Sequence, residues 1–172
     1  MPESTITAVG YLADIENTFR RYKGMAERAM AQVSPNRINW YFHNDSNSLA
    51  ILIKHMSGNL VSRFTDFLRT DGEKVWRHRD VEFMDDIEDQ IMLMEVWERG
   101  WTALFNTISE LEDTDLERTV YINGDGMTAR EAFNRALTHQ SYHIGQIVFL
   151  SKMLATEWES ISIPKKFPFQ GE

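Results

Sequence analysis

The stretch LTHQSYHIGQIVFLSK, residues 137–152, contains two histidines four residues apart, His139 and His143. Steps of three and four along it align Ala132, Ala136, His139, His143, Gln146 and Ile147 on one face of a helix. That face is mostly apolar, so it is expected to point into a core. Two imidazoles at this spacing sit about 5–6 Å apart at Cβ, and both can reach one metal ion at ~2.0–2.1 Å. The helix is expected from Thr128 to about Ala155, opened by a capping box of Thr128 with Glu131.

Three further helical periods precede it. Ile6, Val9, Leu12, Ile15, Phe19, Tyr22, Ala26, Ala29 and Val33 mark the first, with Ser4 as N-cap and Ser34-Pro35 as its end. Leu49, Leu52, Met56, Leu60, Phe64 and Phe67 mark a second, from Ser48 to Arg69. Ile87, Ile91, Met94, Trp97, Trp101, Leu104, Ile108 and Leu111 mark a third, from Glu82 to Leu111. Between the first two lies SPNRINWYFHNDSN, in which Trp40, Tyr41 and Phe42 are expected to pack down. Residues 70–80 are polar and break the period. ERTVYINGDGMT, before the last helix, reads as a small hairpin or an irregular loop. A tail from Thr156 carries Trp158, Ile161 and Ile163, expected to lie on the helices. The expected fold is all-α: one domain over residues 1–172, a four-helix bundle with a short irregular or hairpin segment before the last helix.

Composition narrows the function. The 172 residues carry a net charge of −8, with 42% hydrophobic residues and no Cys. Enough apolar mass is present for a core. An acidic surface repels phosphate backbones, so no nucleic-acid partner is expected. Without Cys there is no disulfide, thiolate ligand or cysteine nucleophile, and any thiol must come from outside the chain. No basic-then-apolar leader and no apolar run of about 18 residues is visible, so no membrane partner and a cytoplasmic location are expected.

Chemistry in a bundle comes from inward side chains on facing helices. His55, in ILIKHMSGNL, lies at the edge of the second helix's apolar face. With His139 and His143 it makes a three-imidazole set suited to Zn, Ni or Fe(II), with open positions for water or substrate. A hydrogen-bonded core histidine is the plainer reading of any one of them. Three uncompensated imidazoles in one core would be costly, however. Trp40 and His43 are candidates for the mouth of the site, against a simple end-capping role. Arg77, His78 and Arg79 are candidates for binding an anionic substrate, against a solvated charged loop. The acids Asp85, Asp86, Glu88 and Asp89 read as the start of the third helix. No carboxylate stands on the apolar stripes near the three His as a general base.

One His on the second helix followed by an HxxxH pair on the last resembles the DinB-like superfamily over nearly the whole chain. SLAILIKHMSGNLVSRFTDFLRTDGEKVWRHRD and LTHQSYHIGQIVFLSK resemble a branch of uncharacterised bacterial DinB-like proteins. The resemblance implies up-down-down-up helix order, a homodimer, and a divalent metal, Zn or Ni, on His55, His139 and His143. It also implies a thiol-dependent S-transferase using a low-molecular-weight thiol, or a metal-dependent hydrolase, acting on a small-molecule substrate. The other readings are a non-catalytic metal-binding or stress-associated protein, and an interaction bundle without metal. In the implied order the second and third helices run parallel. Their eleven-residue connection, reaching about 36–40 Å when extended, must then span a helix of ~33 Å. That path returns Arg77, His78 and Arg79 towards the end where His55 lies.

Overall fold

The computed structural model describes residues 10–162. Four helices and one two-stranded hairpin occur among them. Helix α1 spans Tyr11–Met30, α2 Leu49–Phe64, α3 Gln90–Glu110 and α4 Ala129–Leu154. Strands β1 (Thr119–Ile122) and β2 (Asp125–Thr128) pair antiparallel just before α4. The Ser4 cap and Ile163 lie outside the described residues.

Each helix buries most of the stripe its period marks, but Ile91 of the third stripe is exposed, and Ile6 and Val9 of the first lie outside the described residues. Phe19, Ala26, Leu49, Ile53, Trp97, Trp101, Leu104, Phe133 and Ile147 meet in one core. Ser48 caps α2 by accepting from Ile51 N, and Asp89 caps α3 by accepting from Met92 N. Thr128 and Glu131 close the expected capping box on α4. Residues Asn123 and Gly124 take φ of 55° and 81°, the left-handed values that a two-residue hairpin loop needs.

Contacts between helices set their neighbours. Ser57 Oγ on α2 donates to Val96 O on α3 at 2.6 Å, and Thr107 Oγ1 on α3 donates to Phe64 O at 2.7 Å. Gly100 lets these two helices touch: a Cβ there would stand 2.7 Å from Ser57 Cα. Helix α1 meets α4 where Tyr11 OH donates to Asn134 Oδ1 at 2.7 Å. It meets α3 through Phe19 on Trp101, and through Trp97 Nε1, which donates to Glu27 Oε1 at 3.0 Å. Helices α2 and α4 meet through Phe64 stacked on Phe133. Beyond α4, Gln32 and Glu159 exchange two hydrogen bonds, and Trp158 is half-buried, so this stretch lies along α1.

Two boundaries differ from expectation. Helix α2 ends at Phe64, because Asp66 adopts φ 49° and breaks the helix. Helix α3 begins at Gln90, not Glu82. Residues Arg79–Phe83 form a separate 3-10 turn, and Asp85, Asp86 and Glu88 lie outside any helix. Of the three consecutive aromatics, Trp40 packs against the core while Tyr41 and Phe42 are exposed. Ile38 takes the buried place instead.

Candidate metal centre

The middle of α2 faces the middle of α4, and there the three histidines meet. One ring nitrogen from each of His55, His139 and His143 lies within 4.8 Å of the others. Nε2 of His55 and Nε2 of His139 are 3.2 Å apart. His143 Nδ1 is buried without a hydrogen-bond partner. Such convergence of lone pairs and an orphaned nitrogen is poor packing for a plain core, and it fits the imidazole set of a divalent metal.

The second layer is ionic. His55 Nδ1 lies 3.0 Å from Glu82 Oε2, and an ionised carboxylate can only accept, so Nδ1 carries the hydrogen. This tautomer leaves the His55 Nε2 lone pair facing the cluster. Metal-ligating imidazoles are commonly oriented by such a carboxylate. Arg77 holds Glu82 in turn through two bonds, Nε to Oε1 at 2.7 Å and Nη2 to Oε2 at 3.0 Å. Burial works to raise the Glu82 pKa, but the bonds from His55 and Arg77 and the guanidinium charge outweigh it and hold it low. Gly58 provides the room: a Cβ there would press on the Glu82 carboxyl, 2.8 Å from its Cδ.

Burial is the first cause that holds the His139 pKa down at about 3, and the neighbouring His143 and His55 add to it. Burial also lowers His143, with Gln146 partly opposing. Both rings are therefore neutral near pH 7, the form that ligates metal.

A cavity of about 190 Å³ opens beside the cluster, lined by His55, His139, Asn59, Arg63, Arg77, Arg79, Arg135 and Tyr121. Phe64, Phe67, Val120, Ile122, Ala132 and Ala136 complete its wall. The hairpin thus closes one side. It is pinned there by Asp71, whose carboxylate accepts from Asn123 N and Gly124 N at 2.8 Å each.

Of the residues singled out in the sequence, Arg77 and Arg79 line this cavity and His78 does not. Trp40 and His43 do not line it either: His43 is exposed and pairs loosely with Asp45 at 3.5 Å. Sequence reading missed Glu82, Asn59, Arg63 and Arg135. The stripes indeed place no general base near the three His, but Glu82 stands beside His55 from outside them. It arrives from a loop rather than from a helical stripe. The missing apolar period between residues 80 and 89, with Asp89 as the better cap, was the available signal.

The arrangement defines a helical protein with a candidate three-histidine metal site open to a basic cavity. The chain belongs to the family described as protein of unknown function (DUF1572), whose sequence profile matches residues 6–167. No match is found among curated proteins. Among the described residues, no helix is long and apolar enough to cross a membrane.

Proposed function

We propose that this protein is a DinB-like, divalent-metal-dependent enzyme, with His55, His139 and His143 as ligands for Zn or Ni. The observation that carries the reading is the cavity beside the cluster: His55 and His139 of the three candidate ligands line open space, which matches a catalytic site rather than a closed structural one. Helix order supports the kinship. Partner numbers rise together between α2 and α3 (Ser57 with Val96, Phe64 with Thr107) and run opposite between α2 and α4 (His55 with His139, Phe64 with Phe133). Lys23 with Glu98 and Phe19 with Trp101 run opposite between α1 and α3. These pairings support up-down-down-up order.

A divalent ion held by three neutral imidazoles supplies a Lewis acid that lowers the pKa of a thiol or a water towards neutrality. The chain's own residues do the rest. Glu82 orients His55, and Arg77 keeps Glu82 ionised. The aromatic and aliphatic wall excludes water from one side of the cavity. No carboxylate lines the cavity as a base, and the chain has no Cys. Thiol transfer to a small electrophile, with the thiol brought from outside, suits this inventory better than hydrolysis.

Metal content, measured by mass spectrometry on untagged protein, tests the reading. Near one equivalent is expected, and none in the His139→Ala, His143→Ala double variant. A parent that stays metal-free after incubation with Zn or Ni overturns it. Thiol-transfer assays with several low-molecular-weight thiols follow. A loaded protein inactive in all of them favours the non-catalytic metal-binding alternative.

A further inference from the structure

The cavity wall has an unusual charge balance for this chain. The protein has 26 acidic against 18 basic side chains. The cavity is nevertheless lined by four arginines, Arg63, Arg77, Arg79 and Arg135, and by no carboxylate. Two of the four are already engaged. Arg77 is bound to Glu82, and Arg63 donates to Gly72 O at 2.6 Å and Glu73 Oε2 at 2.8 Å. Arg79 and Arg135 have no ion-pair or side-chain hydrogen-bond partner among the described residues.

These two come from independent elements, the 3-10 turn and α4. Arg135 precedes His139 by four residues, one turn, or about 6 Å along the helix axis. Guanidinium groups left unpaired in a shared concavity repel each other, and a bound oxyanion taking both forks relieves that cost. Phe64, Phe67, Val120 and Ile122 give the same cavity an apolar part of its wall.

We infer that Arg79 and Arg135 form an oxyanion subsite, so that the substrate is a small organic acid, carboxylate or phosphate, with an apolar portion. Arg135 places the anion about one helical turn from His139, and the apolar portion lies on the aromatic wall. This rests on the reading of the cavity as a substrate site, and it goes beyond it by naming the substrate class.

The test uses the full chain stripped of metal with EDTA and then dialysed free of the chelator, itself a polycarboxylate, so that it reads the arginines alone. Calorimetric titration with hexanoate and with inorganic phosphate is compared with neutral 1-hexanol. At least one of the two anions is expected to bind, and which one binds names the source of the oxyanion. Arg79→Gln and Arg135→Gln should each weaken it at least tenfold, and the double variant should abolish it. Arg28→Gln, far from the cavity, should change nothing. Metal content of the double variant should equal that of the parent, which separates failure of this subsite from failure of the metal reading. The melting temperature is the readout that a structural role would move: removing two repelling cations should leave it unchanged or higher. Neither anion binding, binding intact in the double variant, or a double variant that melts markedly lower overturns the proposal.

Discussion

Glu82 shows how one side chain commits several others. Among the described residues, its carboxylate is the acceptor that holds the His55 Nδ1 hydrogen and the Arg77 fork together. Glu82→Gln keeps the shape and removes the charge. Metal affinity is expected to fall about 10- to 100-fold, read by competition with a chromophoric chelator. Glu82→Ala also leaves the Arg77 guanidinium, whose side chain is 4% exposed, without its partner. Breaking a buried pair costs about 3–5 kcal/mol, so this variant should unfold at clearly lower urea. Gly58→Ala makes a sharper test. It raises local helix propensity by roughly 1 kcal/mol, yet its Cβ presses on the Glu82 carboxyl. The expected result is weakened metal binding without loss of fold. Unaltered metal affinity would show that Glu82 does not orient the ligand set.

Among the elements, the 65–89 connection and the hairpin act as one wall. Asp71 joins them, and its pKa is lowered first by the hydrogen bond from Glu73 N, then by those from Gly124 N and Asn123 N. A carboxyl lowered on folding contributes stability that is present above its unfolded value, 3.8 here, and is lost as pH falls through the folded value. Asp71→Asn should therefore melt below the parent at pH 6, with the gap closing as the pH drops below 3.8. A gap that is constant with pH would mean that the charge of Asp71 is irrelevant to the pinning. Helices α2 and α3 are tied differently, by close approach at Gly100. Gly100→Ala places a methyl against the Ser57 backbone and should cost about 1–3 kcal/mol by overpacking. Chemical denaturation measures it.

At the scale of the whole molecule, a metal that binds only the folded state adds stability as RT ln(1 + [L]/Kd). That is about 4 kcal/mol at a thousandfold excess over Kd. For a chain of this size the melting temperature should rise on the order of 10 °C with Zn or Ni and fall back with EDTA. The His139→Ala, His143→Ala variant should show no such shift. A shift of the same size in that variant would place the ion elsewhere on this acidic chain.

The apolar periods, the Thr128–Glu131 capping box, the Asn123-Gly124 turn and the spacing of His139 and His143 are local properties. Hydrogen bonding and side-chain direction within one element decide them, so the four helices and two of the three candidate ligands are legible residue by residue. His55 is legible only as a histidine at the edge of a buried face. The residues between 65 and 89 have no period, and their path depends on what they dock against. Hence the helix expected from Glu82 begins at Gln90, and Glu82 itself instead bonds to His55, a candidate ligand. The same holds for Arg135. On α4 it is one of two arginines, and only packing against the hairpin and the returning connection makes it part of a cavity with Arg79. Local propensity therefore determined the helices and the HxxxH face. Long-range packing, which brings a loop carboxylate and separate arginines to one helix face, decided the site's electrostatics.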